Sequence, residues 1–145
     1  MKGSKSTLLV LIQLVALFYI FFTGEVIPTY SISLALLLGG VFLSVWAFYA
    51  LRTTKFSLLP EVPESAALVT GGPYKLIRHP MYLGIMLIAT ALVFNDYSLE
   101  RFIALIILHV VLLVKTNIEE KYLDKHFKEY GTYKAQTKKL IPYLY

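Results

Sequence analysis

Four apolar runs divide the chain, Thr7 to Phe22, Tyr30 to Leu51, Met81 to Phe94 and Phe102 to Val114, with polar or breaker-rich stretches between them. Crossing ~30 Å of hydrocarbon takes ~20 apolar residues in a helix, so the first two runs span easily and the last two are short. Met81 to Phe94 supplies only ~21 Å of helix at ~1.5 Å per residue. Its ends must therefore lie below the headgroups or be covered by protein. The first run is apolar all round apart from Gln13, and Thr23-Gly24-Glu25 with Pro28 stops it. The second helix is expected from Ser31 to Leu51. Gly39-Gly40 at its middle form a small-residue patch that admits a neighbouring helix, and Trp46, Phe48 and Tyr49 form an aromatic belt toward its end.

The connector from Arg52 to Leu68 is broken by Pro60 and Pro63 and has Glu61 and Glu64 as its acids. A solvated loop is its plainest reading. Phe56, Leu58, Leu59 and Val62 instead favour a segment that lies on the bundle or the membrane surface and helps to roof a site. Gly71-Gly72-Pro73 is a turn, Tyr74 to Ile77 fits a short strand or one helical turn, and Pro80 suits the first turn of the third helix. His79 then sits at or just before the helix start. Asn95-Asp96-Tyr97-Ser98 is a tight turn, so the third and fourth helices form an antiparallel hairpin. Leu123, Phe127 and Tyr130 keep helical spacing beyond Lys115, which extends the fourth helix into water. Tyr130, Tyr133, Pro142, Tyr143 and Tyr145 make the tail aromatic enough to pack back on the bundle.

Composition turns this pattern into a class: 57% hydrophobic and 16% charged residues are too apolar for a soluble domain of 145 residues. The expected fold is an all-α integral membrane protein, with four transmembrane helices and a cytoplasmic C-terminal helical cap. Within a single membrane domain, 1–51 is a two-helix anchor, 52–80 a cytoplasmic connector and loop, 81–117 the helical hairpin and 118–145 the cap. Lys2 and Lys5 ahead of an apolar run imitate a secretory signal, but no small-x-small cleavage site precedes Glu25, so the first helix is expected to be retained. If the four runs cross in turn, Lys2, Lys5, Arg52, Lys55, Lys75, Arg78, Lys115, Lys121, Lys125, Lys128, Lys134, Lys138 and Lys139 share one side, and of the 14 basic residues Arg101 alone falls on the other. The positive-inside rule places both termini and the central loop in the cytoplasm, as a multi-pass protein. The formal charge of +5 follows from topology and attraction to anionic lipid rather than nucleic-acid binding. No cysteine is present, and His79, His109 and His126 lack metal-ligand spacing, so no metal is expected.

The candidate chemistry gathers on the cytoplasmic side: Tyr74 and Tyr82, the cations Arg78, His79 and Lys115, and the acids Glu119 and Glu120. Such a group suits an amphipathic, multiply charged ligand. No Ser-His-Asp set, paired-carboxylate hydrolase signal, P-loop or strand-bounded dinucleotide fingerprint is present. Lys115 and Glu119, at i and i+4, face the same way in the order that is weaker for helix stabilisation, which favours ligand-facing roles. Arg78 meets either lipid phosphate or the roof of the site, Glu120 is expected on a solvated face, and Tyr130 and Tyr133 are read as packing. His109, inside an apolar run, is read as a neutral imidazole bonding a neighbouring helix, and His126 as a surface residue.

The run L-V-T-G-G-P-Y-K-L-I-R-H-P-M-Y-L-G (Leu68 to Gly84), the distal E-E-x-x-L (Glu119 to Leu123) and Y-x-x-Y with I-P (Tyr130, Tyr133, Ile141, Pro142) resemble the isoprenylcysteine carboxyl methyltransferase family, with the related phospholipid N-methyltransferases. The resemblance covers the chain from Arg52 onward. It implies an integral-membrane enzyme that uses S-adenosylmethionine (S-adenosyl-L-methionine) without a Rossmann domain. It implies cofactor binding by Ala66, Ala67, Leu68 and Val69, by Tyr74, by His79, Pro80, Met81 and Tyr82, and by Glu119. It further implies a substrate contact at Lys115, where the family more often carries Arg, so that a bidentate grip becomes a single point charge. Arg78 is a second substrate candidate, and Lys115 and His79 are the catalytic candidates. The implied partners are the lipid bilayer and a lipophilic or prenylated substrate. Relatives place Gly directly after the tail Phe, whereas Lys128 follows Phe127 here and the glycine is Gly131.

Overall fold

A computed structural model describes residues 2–52 and 67–142 of the chain. Most of the expected connector, with Pro60, Pro63 and Ala66, lies outside the described residues, as do Tyr143 and Tyr145. Among the described residues the protein is all-helical: α1 (Lys2–Phe22), α2 (Ser31–Leu51), a 3-10 turn (Gly72–Lys75), α3 (Pro80–Asn95), α4 (Leu99–His126) and α5 (Tyr130–Gln136). Three helices are long and apolar enough to cross a membrane, and Pro80–Asn95 is a shorter apolar helix. The four apolar runs are the four long elements. Pro80 opens α3 directly after His79, and α4 continues past Lys115 to His126.

The helices run up and down in turn. Gln13 meets Lys115 and Ile20 meets Arg101, so α1 and α4 are antiparallel. Thr29 bonds Asn95 at one end of the α2–α3 pair, and Gly72, just before α3, lies against Trp46 and Ala50 at the other. Ala16, Ile20, Ala89, Leu92, Val93, Leu105, Leu108 and Leu112 fill the interior. Small and branched side chains suffice there because the helices approach closely. The outward faces of α1 and α2 expose Val15, Phe18, Phe22, Ile32, Phe42 and Val45, the surface that a helix presents to lipid rather than to water.

Contact between α2 and α3 depends on two glycines. A Cβ on Gly84 would overlap Ser44 Oγ and stand 2.9 Å from the Gly40 carbonyl, and one on Gly40 would stand 2.8 Å from the Gly84 carbonyl. The two backbones therefore touch, as small residues allow in membrane helices. Of the expected Gly39-Gly40 patch only Gly40 serves this contact, since Gly39 is exposed and has open space before it.

Arg101 ties the end of the bundle away from Lys115. It is 2% exposed. Its Nη2 donates to the Ile20 carbonyl of α1 and the Leu92 carbonyl of α3, each at 3.1 Å, and its Nη1 donates to the Asp96 carbonyl at 2.6 Å and to Asp96 Oδ2 at 2.9 Å. The Ile20 carbonyl lies in the last turn of α1, where intrahelical donors run out, and the Leu92 carbonyl also accepts from the Asp96 amide at 3.3 Å, so one guanidinium joins the ends of two helices. Ser98 accepts the Arg101 amide at 3.3 Å and starts α4. Gly24 admits this arrangement, because a Cβ there would overlap the guanidinium. Beside it Asn95 Oδ1 accepts from the Thr29 amide at 2.8 Å, and Asp96 Oδ2 accepts from the Glu25 amide at 3.2 Å.

Arg101→Leu leaves the Ile20 and Leu92 carbonyls without this donor and is expected to lower stability by about 2–4 kcal/mol, read as a fall in apparent Tm in detergent, with Arg101→Lys in between. An unchanged Tm would remove the guanidinium from the account of stability. Gly84→Ala is expected to lower Tm, while Gly39→Ala in open space is expected to leave it level or raise it slightly through better helix propensity.

Candidate functional site

The approach to α3 is built from backbone conformation outward. Gly72 has φ +58°, and a Cβ there would come within 3.3 Å of Trp46 Nε1 and Ala50 Cβ. Only glycine adopts that geometry without strain. The turn buries Pro73 and Tyr74, and the chain then pairs with the tail: Ile77 and Lys138 form an isolated parallel bridge. The Lys138 amide donates to the Leu76 carbonyl (3.2 Å), the Arg78 amide to the Lys138 carbonyl (2.8 Å) and the His79 amide to the Lys139 carbonyl (3.1 Å). The segment expected as strand or helical turn is a helical turn followed by one rung of strand pairing.

This ladder leaves the Arg78 and His79 side chains facing α4. Arg78 Nε donates to Glu120 Oε1 at 2.7 Å, and its Nη1 donates to the Thr137 carbonyl at 2.5 Å and the Lys134 carbonyl at 3.2 Å. His79 Nε2 is 3.3 Å from the same Glu120 oxygen, while Glu120 Oε2 has Lys134 at 3.7 Å and Lys139 at 3.9 Å. Glu120 was expected on a solvated face and is instead 7% exposed. The reason is the tail, which folds over α4 and surrounds the carboxylate with cations and backbone.

Glu119, one residue earlier, faces the other side of His79. Its Oε2 is buried without a hydrogen-bond partner and lies 3.7 Å from His79 Nδ1. The His79 and Tyr82 rings stack at 5.6 Å with a 13° interplanar angle. Lys115 Nζ lies 5.4 Å from the centre of the Tyr82 ring and donates to Gln13 Oε1 at 2.6 Å. Burial, and then the Glu119 charge, push the Tyr74 hydroxyl well above the ordinary phenol range. Tyr74 therefore stays a neutral ring and donor.

The tail closes the site from outside. Tyr133 donates its hydroxyl to the Tyr74 carbonyl at 2.7 Å and accepts through its own carbonyl from Thr137 Oγ1 at 2.7 Å. Burial pushes the Tyr133 hydroxyl up to about 12, with Arg78 opposing and Glu120 adding to the shift, so this bond persists through the physiological range. Tyr130 is fully buried, and Lys139 Nζ donates to Asn117 Oδ1. Both tyrosines pack, as their spacing suggested. Outside α5's contact with α4, a polar groove of about 330 Å³ is lined by Asn117, Glu120, Lys121, Asp124 and Lys134.

The fold thus brings together Tyr74, Arg78, His79, Tyr82, Lys115 and Glu119. Pro80 is buried in the first turn of α3, Met81 is half-buried beside it, Leu68 and Val69 are half-buried and Ala67 is exposed on the way into the turn. Ala66 lies outside the described residues. Gln13 was missed as a member; its being the single amide in an apolar helix was a signal, but nothing local tied it to Lys115. His109 donates from Nδ1 to the Leu105 carbonyl at 2.8 Å and reaches Thr90 on α3 at 3.5 Å. His126 is exposed. Among the described residues no His, Asp or Glu group could hold a metal ion.

These features define a small helical membrane protein with a cluster of charged and aromatic side chains at one end of its bundle. A sequence model of the phospholipid methyltransferase family matches residues 28–130. The chain belongs to this family, which includes isoprenylcysteine carboxyl methyltransferases, and is a membrane methyltransferase. No curated protein and no solved structure is significantly similar to it.

Glu120→Ala leaves Arg78 and His79 buried beside the space of a missing carboxylate and is expected to cost about 3–5 kcal/mol; Glu120→Gln costs less. Hydrogen exchange reads the effect at the Arg78 and His79 amides, which donate to the tail and should lose protection. Retained protection in Glu120→Ala would mean that the ladder stands without the ion pair.

Proposed function

We propose that the protein transfers the methyl group of S-adenosylmethionine to a lipophilic acceptor at the cytoplasmic membrane surface, and that the acceptor is a carboxylate of the prenylcysteine type. Both termini and the site face the cytoplasm in this reading, which rests on the one-sided distribution of Lys and Arg. The observation that carries the cofactor reading is Glu119, whose buried Oε2 has no hydrogen-bond partner and stands beside His79. A buried acceptor without a donor is costly unless a ligand supplies one. The residues fit the cofactor: Glu119 suits its ammonium or ribose hydroxyls, and the N-terminus of α3 with His79 suits its carboxylate. Tyr74 and Tyr82 offer electron-rich rings to a sulfonium at about 0.5–2 kcal/mol each. The family resemblance adds Ala66 to Val69, Pro80 and Met81 to the cofactor contacts, and of these Pro80 and Met81 open α3 beside His79.

When bound, S-adenosylmethionine supplies a methyl group on a sulfonium sulfur, which an acceptor oxygen takes by direct displacement as the carbon–sulfur bond breaks and a thioether is left. The protein's part is to position. Lys115 meets the anionic group of the acceptor as a point charge, and the tail held by Tyr133, Arg78 and Glu120 keeps water from the reacting atoms. A carboxylate acceptor has no proton to lose, so no base is needed. Arg78 has its Nε and Nη1 engaged by Glu120 and the tail, and its contribution to the substrate is to hold the roof under which the acceptor sits.

A second reading is methyl transfer to an amine headgroup. The family match, to phospholipid methyltransferases, favours it, and His79 backed by Glu120 is the group placed to take the amine proton. In calorimetry in detergent, Glu119→Ala and Tyr82→Ala are expected to weaken cofactor binding about tenfold or more; unchanged affinity in both would sink the site assignment. Incubation of membranes with methyl-labelled cofactor separates the acceptors: a base-labile ester supports the carboxylate, and a base-stable N-methyl lipid supports the amine.

A further inference from the structure

The family match begins at residue 28, after α1 has ended. Yet α1 supplies a side chain to the site. Gln13 and Lys115 are 7% and 2% exposed, and the 2.6 Å bond between them joins residues 102 apart in the chain. An ammonium only donates, so the amide must turn its oxygen toward Lys115, and the orientation is set by chemistry. The other buried positions on this face of α1 are Ser6, Ala16 and Ile20, and an apolar residue at 13 would continue the packing. A buried amide is tolerated in such a place only when its hydrogen bond is made.

A lysine has a flexible stem and a point charge where a guanidinium would offer a rigid fork. Its tip is placed by whatever it touches, and here Gln13 and the Tyr82 ring restrain it from two sides. We propose that Gln13 is a positioning residue: α1 acts as the third wall of the acceptor site and aims the Lys115 ammonium at the anionic group of the acceptor. The neutral amide holds the cation without cancelling its charge, which a carboxylate at this position would do. The inference rests on the proposed contact between Lys115 and the acceptor, and it makes the anchor helix a determinant of acceptor affinity while leaving the cofactor to the rest of the site.

The test compares the full chain with Gln13→Leu, Lys115→Met and the double variant in mixed micelles, using N-acetyl-S-farnesylcysteine and monomethyl phosphatidylethanolamine as acceptor probes. Gln13→Leu is expected to raise the acceptor KM about tenfold, with kcat and calorimetric S-adenosylmethionine affinity within about twofold. Lys115→Met is expected to lower kcat/KM by at least as much, and the double variant should be no worse than Lys115→Met, because residues acting through one group are not additive. Full additivity, or an unchanged KM in Gln13→Leu while Lys115→Met is impaired, overturns the inference and leaves the functional reading standing. Unimpaired Lys115→Met, or turnover of neither probe by the unsubstituted enzyme, overturns that reading and the inference with it. Loss of cofactor affinity in Gln13→Leu would assign the residue to general packing and also overturn the proposal.

Discussion

The Glu120 carboxylate is the group on which the site depends. One of its oxygens serves Arg78 and His79, the residues that lead into α3, and the other faces Lys134 and Lys139 of the tail. A buried charge is costly unless paired and hydrogen-bonded, and here the pairing draws two separate segments onto one helix. The tail is also held by one rung of strand pairing, by Tyr133 on the Tyr74 carbonyl and by Lys139 on Asn117. Glu120 adds the ion pair through which Arg78 spans from α4 to the Thr137 carbonyl and roofs the mouth of the bundle.

The neighbouring acid has the opposite environment. Glu119 and Glu120 are adjacent on α4, and a helix turns ~100° between them, so one meets the Arg78 guanidinium and the other looks into the bundle mouth past His79. One carboxylate is spent on structure and the other keeps an oxygen unbonded in the protein. His79 lies between the two, its ring on Tyr82, and couples the roof to the site. The short α3 serves the same end: its N-terminal turn, with Pro80 in place of an amide donor, starts directly beside His79 and these two acids.

Much of this was legible in the sequence because membrane helices announce themselves by unbroken apolarity and because turns demand particular residues. Gly71-Gly72-Pro73 reads as a turn, Pro80 fits the first turn of a helix, and Asn95 to Ser98 reads as the tight turn before α4. The motif from Leu68 to Gly84 with Glu119 pointed to the right family. Three features were not legible, for one reason: each depends on a partner far along the chain. Which of Glu119 and Glu120 is buried follows from where the tail lands. Gln13 has no local sign that its partner is 102 residues away. Arg101 looked like the one stray cation on the far side, and its role is set by carbonyls of α1 and α3 that carry no side-chain signature at all.

That last residue has a bearing on how the molecule comes into being. The donor that closes the end of α1 at Ile20 is made 81 residues later, after α2, the connector and α3. During synthesis α1 enters the bilayer before the donor to its Ile20 carbonyl exists, and α3 before the guanidinium that joins its Leu92 carbonyl to α1. Helices that insert separately and associate afterwards pass through such a stage, and here a single guanidinium ends it for both. The tie between the ends of α1 and α3 is therefore made only when the fourth helix arrives, and a chain that stops before Arg101 has the contact of α2 with α3 but not that tie.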